Sequence, residues 1–487
     1  MKRLSGLDAT FLYLETPSSP MHVSGVFVAD PSTAPGGFSF EGYRQMVADR
    51  LHLAPPWRRR LVEVPFGLHH PLWIEDPDFD LDFHVRRAAL PAPGGRAELA
   101  QFAAEFHGLP LDRARPLWQL YVVEGLEGGR VAIVSKTHHA AIDGVSGQEI
   151  VVNLLDMSPE VQRHEPAAGW QPDRVPSEAE MVAYALKSLA RQPMAAVRAV
   201  SRTAEMALNL RARNSQPGVE PPPAPFAAPR TSINTPITPH RRFAMADISL
   251  DEAKRVKRSF GCTVNDVVIA LCAGALRRHF EAQGEVIDVD LVAMVPISVR
   301  TKGEKGEMGN KVSAMLTSLA TTIDDPSERL EAIVAGTRRA KEQEKAIPAA
   351  TLSDWTEFMA PAVAARAARL YSSMRVADKV RPLFNVIVSN VPGPGMALYT
   401  GGAEVEAMYP MGPITDSAGL NITIFSYRGS IHFGLVACRE TVPDLDRMVD
   451  HLQDSLDELS KAAEERAGEA PPPERPSRPS AAAVAPA

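Results

Sequence analysis

The stretch Arg130-Val131-Ala132-Ile133-Val134-Ser135-Lys136-Thr137-His138-His139-Ala140-Ala141-Ile142-Asp143-Gly144 combines an apolar strand pattern with a polar end. Its apolar residues predict a strand over 130–136 that runs into the two histidines. If the strand continues through them, alternation sends His138 and His139 to opposite sides, where they are poor ligands for one metal ion. The pattern therefore favours acid-base chemistry over a metal site.

A histidine followed by an aspartate four residues later suits proton transfer. A neutral imidazole can take the proton of an alcohol that attacks a carbonyl, provided that the ring is held in one orientation. Asp143 can hold this turn in shape, and Gly144 lets the backbone turn without a side-chain clash. Two core histidines on a turn are the alternative, but the clustering of His, His, Asp and Gly at a strand end favours function.

Composition limits the remaining possibilities. The 487 residues include 52 Lys and Arg against 59 Asp and Glu, a net charge of −7 that argues against a nucleic-acid binder. Cys262, Cys272 and Cys438 have no paired spacing, which argues against a disulfide framework and fits a reducing cytoplasm. Asp8 and Glu15 interrupt the basic start, so no signal peptide is expected, and no stretch approaches the roughly 20 apolar residues of a spanning helix.

The length predicts two domains. Prolines make 214–240 an extended crossover, and the sequence from about 467 has almost nothing apolar to bury. We predict an α+β fold with an N-terminal domain at 1–180, a basic helix and Pro-rich linker at 181–242, a C-terminal domain at 243–465 and a disordered tail at 466–487. Predicted strands lie at 21–28, 73–74, 83–85, 118–123, 130–136, 290–295, 312–319, 384–389, 421–427 and 431–438, and predicted helices at 40–53, 96–107, 145–156, 263–280 and 445–463.

The histidine segment matches the HHxxxDG pattern of the coenzyme-A-dependent acyltransferase superfamily, which includes chloramphenicol acetyltransferase, carnitine acyltransferases and nonribosomal condensation domains. Neighbouring segments narrow the choice. Over about residues 1–460 the chain resembles the bacterial wax ester synthase/acyl-CoA:diacylglycerol acyltransferase family, in the family's order, at Ser5-Gly6-Leu7-Asp8-Ala9-Thr10-Phe11, Pro20-Met21-His22-Val23, Arg115-Pro116-Leu117-Trp118, Thr263-Val264-Asn265-Asp266-Val267-Val268, Val295-Pro296-Ile297-Ser298-Val299-Arg300, Gly309-Asn310 and Asn390-Val391-Pro392-Gly393-Pro394.

This resemblance implies two chloramphenicol-acetyltransferase-like domains, each of mixed sheet and helices, that meet at a central tunnel. His139 would be the general base there, with no covalent intermediate. His138 would shape the loop, assist the oxyanion or be structural. Asp143 would be architectural, and we expect it to pair with Arg300.

Other segments of the resemblance carry further expectations. Asn265 and Asp266 open a predicted helix, with Thr263 as its N-cap, so capping and a role near the site are equal alternatives. Pro116 and Trp118 are expected to pack beneath the tunnel. Asn390 lies in a predicted rigid turn, which turn formation alone would explain, although its side chain could face the tunnel.

The resemblance implies long-chain acyl-CoA as co-substrate, diacylglycerol or a long-chain alcohol as acceptor, and no bound cofactor or metal. A condensation-type acyltransferase with another acceptor or a carrier-bound acyl group, and a non-catalytic lipid-binding protein, are the alternatives. Basic residues interleave with apolar ones over 181–213 and 361–381. These stretches are either ordinary surface helices or contacts with a membrane or lipid droplet, so we expect a cytoplasmic protein that can be peripheral at the inner face of the plasma membrane.

Overall fold

A computed structural model gives the architecture and describes residues 2–141, 154–162, 164, 169–189, 201, 204–205, 208, 223, 226–298, 312–344 and 361–469. Its helices are α1 (Gly6–Leu14), α2 (Phe40–Arg50), α3 (Leu81–His84), α4 (Arg96–Gly108), α5 (Glu178–Leu189), α6 (Leu250–Phe260), α7 (Val264–Ala282), α8 (Pro326–Glu344), α9 (Pro361–Ser373) and α10 (Leu445–Glu469). Its strands are β1 (Lys2–Arg3), β2 (His22–Asp30), β3 (Arg59–Val62), β4 (Leu72–Glu75), β5 (Val85–Ala89), β6 (Trp118–Glu124), β7 (Val131–His138), β8 (Arg241–Ser249), β9 (Val292–Ser298), β10 (Val312–Ser318), β11 (Val386–Pro392), β12 (Tyr399–Thr400), β13 (Ala403–Met411), β14 (Leu420–Tyr427) and β15 (Ser430–Cys438).

The strand that ends in the histidines lies inside a six-stranded sheet of order β12-β13-β2-β7-β6-β5. β2 and β6 flank β7, and both are antiparallel to it. The predicted β6–β7 hairpin is confirmed, with Glu127–Gly129 as its turn. Central placement gives β7 hydrogen-bonded neighbours on both sides, so its end is held firmly.

A second six-stranded sheet has the order β10-β9-β11-β14-β15-β8, with β11 parallel to both of its neighbours. The apolar side of α7 packs on it, from Val267 to Phe280. Thr263 accepts a hydrogen bond from the Asp266 N–H, and Asp266 accepts one from the Thr263 N–H, a reciprocal cap that starts α7 where the sequence predicts it. Mixed sheets with helices confirm the predicted α+β class.

The two halves of the chain interlock. β13 pairs with β2 over Glu404–Met411 and Ser24–Asp30, so strands of the second half complete the first sheet. The predicted α+β halves therefore share a sheet, and the residue numbers proposed for the domain boundaries remain a prediction.

Four local predictions differ from the structure. The first residues of the predicted disordered tail, 466–469, continue α10 to Glu469, where Arg466 donates a hydrogen bond to Glu331 Oε1 across 2.6 Å. Residues 81–84 form the short helix α3, because Asp80 accepts a hydrogen bond from the Asp82 N–H, and the strand starts only at Val85. Asn390 belongs to β11 and not to a turn, since pairing with β14 continues to Pro392. Of the predicted helix 145–156, residues 145–153 lie outside the described residues, and 154–156 are not helical, because Asp156 forms a β-bridge with Tyr399.

Membrane-spanning criteria are met by no single described helix. Leu250–Phe260 and Val264–Ala282 pass only as a pair, bent by 104° at the break between them. The apolar side chains of the longer helix of this pair belong to the protein core.

Candidate active site at the end of β7

Backbone hydrogen bonds fix both histidines of the motif. The His138 N–H donates to the Leu117 carbonyl and the His139 N–H to the Met21 carbonyl, each across 2.9 Å. β7 ends at His138, and His139 begins the single 3₁₀ turn His139–Ala141. The strand therefore does not continue through His139, and the predicted placement of the two rings on opposite sides of a strand does not apply. The turn instead places the two rings in different surroundings.

The ring of His139 is half-buried and stacks on Phe11, with ring centroids 3.8 Å apart and planes inclined at 16°. Its Nδ1 is buried without a hydrogen-bond partner among the described residues. Burial lowers the pKa of His139 to about 4; its own backbone carbonyl opposes this shift and His138 adds to it. At neutral pH the imidazole is therefore uncharged and can accept a proton.

His138 is fully buried beside an acidic side chain. The Ala140 N–H donates to His138 Nδ1 across 3.0 Å. His138 Nε2 lies 3.3 Å from Glu15 Oε2, within ion-pair distance but out of line for a well-formed hydrogen bond. Burial lowers the pKa of His138 more than Glu15 raises it, so this ring is neutral as well.

Glu15 is itself anchored by an arginine. Arg113 Nε donates to Glu15 Oε2 across 3.0 Å, and Arg113 Nη2 reaches the same oxygen at 2.5 Å. Burial alone would raise the pKa of Glu15, but the contacts with His138 and Arg113 outweigh it and the pKa is lowered. Glu15 is thus a carboxylate in the folded protein.

Helix α1 brings these partners to the strand end. Ser5 caps it by accepting a hydrogen bond from the Asp8 N–H. The helix then presents Phe11 to His139 and ends at Leu14, directly before Glu15. Phe11 belongs to the segment Ser5–Phe11, one of those that carry the family resemblance, so the sequence gives a reason to expect it near the site. Glu15 and Arg113 gave no such signal, because only the fold brings them to His138.

Pro116 and Trp118 belong to the packed core beside this strand end. Pro116 is buried, and the Trp118 indole stacks on Trp57 and on His84, at centroid distances of 4.3 and 4.6 Å. Its Nε1 donates to the Trp57 carbonyl across 2.9 Å. Trp118 is thus packed and hydrogen-bonded and Pro116 is buried, and their predicted place beneath a tunnel stays a prediction.

Two other predicted residues come together from distant segments. Asn390 Nδ2, on β11, donates to Asn265 Oδ1 in the first turn of α7 across 3.2 Å. Asp266 caps α7 and also accepts a hydrogen bond from Thr337 Oγ1 at 2.7 Å. Capping is thus observed for Asp266, whereas Asn265 joins the helix to the second sheet.

Asp143, Gly144 and Arg300 lie outside the described residues, so the predicted Asp143–Arg300 pair stays a prediction. Within the described part of the chain, no three His, Cys, Asp or Glu side chains are grouped as metal ligands.

Comparisons with protein families match most of the chain. Residues 4–268 match the model of the wax ester synthase/diacylglycerol acyltransferase catalytic domain. Residues 308–460 match the model of the WS/DGAT C-terminal domain.

Individual proteins give the same result. A Mycobacterium tuberculosis (strain ATCC 25618 / H37Rv) protein, whose name gives diacylglycerol O-acyltransferase as a provisional activity, is 38% identical over 96% of this chain and 91% of its own length. The probable diacylglycerol O-acyltransferase tgs2 of the same strain is 36% identical over 93% of this chain and 98% of its own length.

Among solved structures, the wax ester synthase/diacylglycerol acyltransferase from Marinobacter aquaeolei VT8 is 31% identical, with a TM-score of 0.66 over 95% of this chain and all of that one. The first condensation domain of the calcium-dependent antibiotic synthetase has a TM-score of 0.57 over 96% of this chain and 97% of its own, but at 16% identity this likeness concerns the fold alone.

Proposed function

The chain belongs to the wax ester synthase/diacylglycerol acyltransferase family, and on that premise we propose that it uses His139 as the general base of acyl transfer from acyl-CoA to an alcohol. The observation that carries this proposal is the neutral, half-buried imidazole of His139 at the end of β7.

The reaction needs one base and no covalent enzyme intermediate. Because His139 Nδ1 is enclosed, we assign proton transfer to Nε2. Nε2 removes the hydroxyl proton, the oxygen forms its bond to the thioester carbon, and the C–S bond breaks. The imidazolium then returns the proton to the departing thiolate. A general base of this kind contributes about 10²–10⁴-fold, and substrate positioning and stabilisation of the oxyanion supply the rest.

A cysteine nucleophile is disfavoured. All three cysteines are buried. Burial raises the pKa of Cys262 to about 11 and that of Cys272 to about 12, so neither is a thiolate at neutral pH. This supports direct attack of the alcohol on the thioester.

We further propose that the acyl donor is long-chain acyl-CoA and that the acceptor is diacylglycerol, a long-chain alcohol or both, reached through a tunnel between the two halves. The names of the Mycobacterium and Marinobacter proteins support these acceptors. Asp143 would hold the motif loop through Arg300. Arg300→Lys should then strongly reduce activity or folding, and a stable, fully active variant would refute the pairing.

The decisive experiment measures thiol release from palmitoyl-CoA with dioleoylglycerol and with hexadecanol in turn, for the wild type and for His139→Ala. We expect acceptor-dependent release by the wild type and a loss of about 10²–10⁴-fold in the variant, because only the base is removed. Equal rates in the two proteins would overturn the role of His139. Absence of release by the wild type with both acceptors would overturn the assignment of substrates.

The proposed location is the cytoplasm, with peripheral contact to an anionic membrane or lipid-droplet surface. The turn Pro65–Gly67 contacts α5 and α9 and carries Phe66, whose side chain is 88% exposed. Leu186 on α5 and Leu370 on α9 are 59% and 58% exposed, beside the exposed basic residues Lys187, Arg366 and Arg369. Apolar and basic side chains together suit an anionic lipid surface.

The opposite face of α5 is already occupied. Met181 and Ala185 are buried against Val64 and Leu72. Most of the predicted basic stretch after Leu189 lies outside the described residues. Any lipid contact in the described part of this region must therefore use the exposed side of α5 together with Phe66 and α9.

Flotation with phosphatidylglycerol and with phosphatidylcholine vesicles tests this surface. We expect binding to the anionic vesicles only, reduced in Phe66→Ser and Leu370→Ser. Val286→Ser, at an 87% exposed position in the loop after α7, is the matched control. Binding that is unaffected by the first two variants would exclude this surface.

A further inference from the structure

Arg113, Glu15, His138 and Ala140 form a continuous chain of polar contacts around the catalytic histidine. We propose that Glu15 is a positioning residue. By facing Nε2 of His138 it selects the tautomer whose Nδ1 can accept the Ala140 N–H, and so it fixes the backbone that carries His139. This inference rests on the proposed function of His139 as general base and deepens it.

The tautomer follows from donor and acceptor roles. A backbone N–H can only donate, so His138 Nδ1 must supply a lone pair to Ala140. In a neutral ring the proton is then on Nε2, which faces the Glu15 carboxylate at 3.3 Å. The opposite tautomer would place an N–H against the Ala140 N–H and a lone pair against a carboxylate, two repulsive contacts in a buried site.

The consequence reaches His139 through the backbone. Its own N–H is bound to the Met21 carbonyl, and the next N–H along the chain, that of Ala140, is bound to His138 Nδ1. Both peptide groups that flank the His139 Cα are thereby held, which limits rotation of the backbone under the imidazole. The orientation of the His139 side chain, which stacks on Phe11, is therefore set by this fixed backbone.

The contacts of His138 with Glu15 and Ala140 also decide between the roles that the sequence leaves open for this residue. One ring nitrogen faces Glu15 and the other binds Ala140, so neither is directed at a substrate. Of the roles that the sequence leaves open, loop shaping is the one that this geometry supports, rather than help to the oxyanion.

Arg113 keeps the carboxylate in place. Besides its contacts to Glu15, its Nη2 donates to the Leu12 carbonyl near the end of α1 across 2.9 Å. The guanidinium therefore ties the carboxylate to the helix end and stabilises its charge. If the Glu15 side chain were displaced, no acceptor oxygen would face His138 Nε2, and the His138 ring would lose its preference for the Nε2–H tautomer.

Variants at position 138 test the contact to Ala140. Asparagine can bond the backbone N–H two residues ahead, so His138→Asn preserves this contact without any Nε2. We expect His138→Asn to retain most of the wild-type kcat, and His138→Leu to lose about 10²-fold in kcat with unchanged KM for palmitoyl-CoA, because only positioning is lost. Equal losses in both variants would overturn the inference.

Variants of Glu15, made in the wild type and in His138→Asn, test whether Glu15 acts through the His138 ring. Glu15→Gln keeps an acceptor oxygen and should be mild, whereas Glu15→Met should lower kcat in the wild-type background. In the His138→Asn background Glu15→Met should have no further effect, since asparagine has no tautomer to select. A loss that persists there would mean that Glu15 acts in another way.

Nuclear magnetic resonance of ¹⁵N-histidine-labelled protein gives a readout that needs no turnover. The His138 signal is identified by its absence in His138→Asn. We expect the Nε2–H tautomer in the wild type and in Glu15→Gln, and a mixture in Glu15→Met. An Nδ1–H signal in the wild type would refute the inference even if neither lipid acceptor were used, so its failure is distinct from failure of the proposed function.

Discussion

The ring of Phe11 lies flat against the imidazole of His139, with 3.8 Å between the ring centroids. This contact joins the N-terminal helix to the end of β7. It covers one face of the proposed base with an apolar surface and restricts rotation of the ring.

Phe11→Leu should lower kcat by about tenfold with little change in KM, because a looser imidazole spends less time in the reactive orientation. Leu12→Met, at the next and fully buried position of the same helix, is the control for general disturbance of α1. Thiol release over a range of palmitoyl-CoA concentrations measures both constants. Equal effects of the two variants would show that the ring stack has no special role.

The pH dependence of the rate should reveal the lowered pKa of His139. An ordinary histidine loses half of its basic form near pH 6.5, whereas His139, with a pKa of about 4, stays neutral well below that. We expect kcat/KM to be flat from about pH 8 to about pH 5. An acid limb centred near pH 6.5 would contradict a base that is uncharged at neutral pH with a strongly lowered pKa.

Stability should fall on acidification because of other buried histidines. Burial lowers the pKa of His84 to about 4, against a hydrogen bond to the Trp118 carbonyl, and that of His107 to about 3, with Arg241 and Lys136 adding to the effect. The unfolded chain binds these protons below about pH 6.5, but the folded protein does not. Between about pH 6.5 and 4 each such histidine should cost about 1.4 kcal/mol of unfolding free energy per pH unit.

Urea unfolding at a series of pH values measures this slope. His84→Gln should make it shallower, since glutamine does not titrate. A stability that is constant or that increases towards pH 5 would be inconsistent with neutral buried histidines.

A buried ion pair should dominate the stability of the segment after the motif loop. Arg50 Nη2 contacts Asp156 Oδ2 at 2.7 Å, and the two side chains are only 2% and 3% exposed. Arg50→Met should lower the free energy of unfolding by about 3–5 kcal/mol, because it leaves a buried carboxylate without its partner. The double variant Arg50→Met/Asp156→Leu should recover much of that loss, and a further loss there would contradict the explanation.

The Asn265–Asn390 hydrogen bond should couple the two residues energetically. Each alanine variant should lower the free energy of unfolding by about 1 kcal/mol, and the double variant by less than the sum, because the second change removes a partner that is already gone. Urea unfolding of the four proteins gives the coupling energy. Strict additivity would argue that the contact contributes nothing.

Local signals in the sequence predict much of the fold. The hairpins β6–β7 and β14–β15 follow from short turns between apolar runs, and the start of α7 follows from Thr263. The short helix α3 and the extension of β11 through Asn390 do not follow from the apolar pattern, since one depends on the Asp80 cap and the other on pairing with β14. The exchange of β13 into the first sheet is a long-range pairing that no local pattern encodes.

In the site, too, local sequence signals identify some residues, and only the fold identifies the others. His138 and His139 stand out as a motif, whereas Glu15 and Arg113 are common residues on other segments whose importance arises only from where the chain brings them. Even the neutral state of the histidines is a property of burial, and burial is decided by the whole fold.

The pairing of β2 with β13 also constrains how the protein is made. On the ribosome β2 emerges early, but the strand that covers its second edge is among the last to be translated. Until then one row of N–H and C=O groups on β2 is open to any other extended chain, a risk that nascent-chain chaperones exist to limit. If the gene were divided between the regions that match the two family models, the first fragment would keep this edge of β2 unpaired. A divided form of the enzyme could therefore assemble only when both fragments are expressed together.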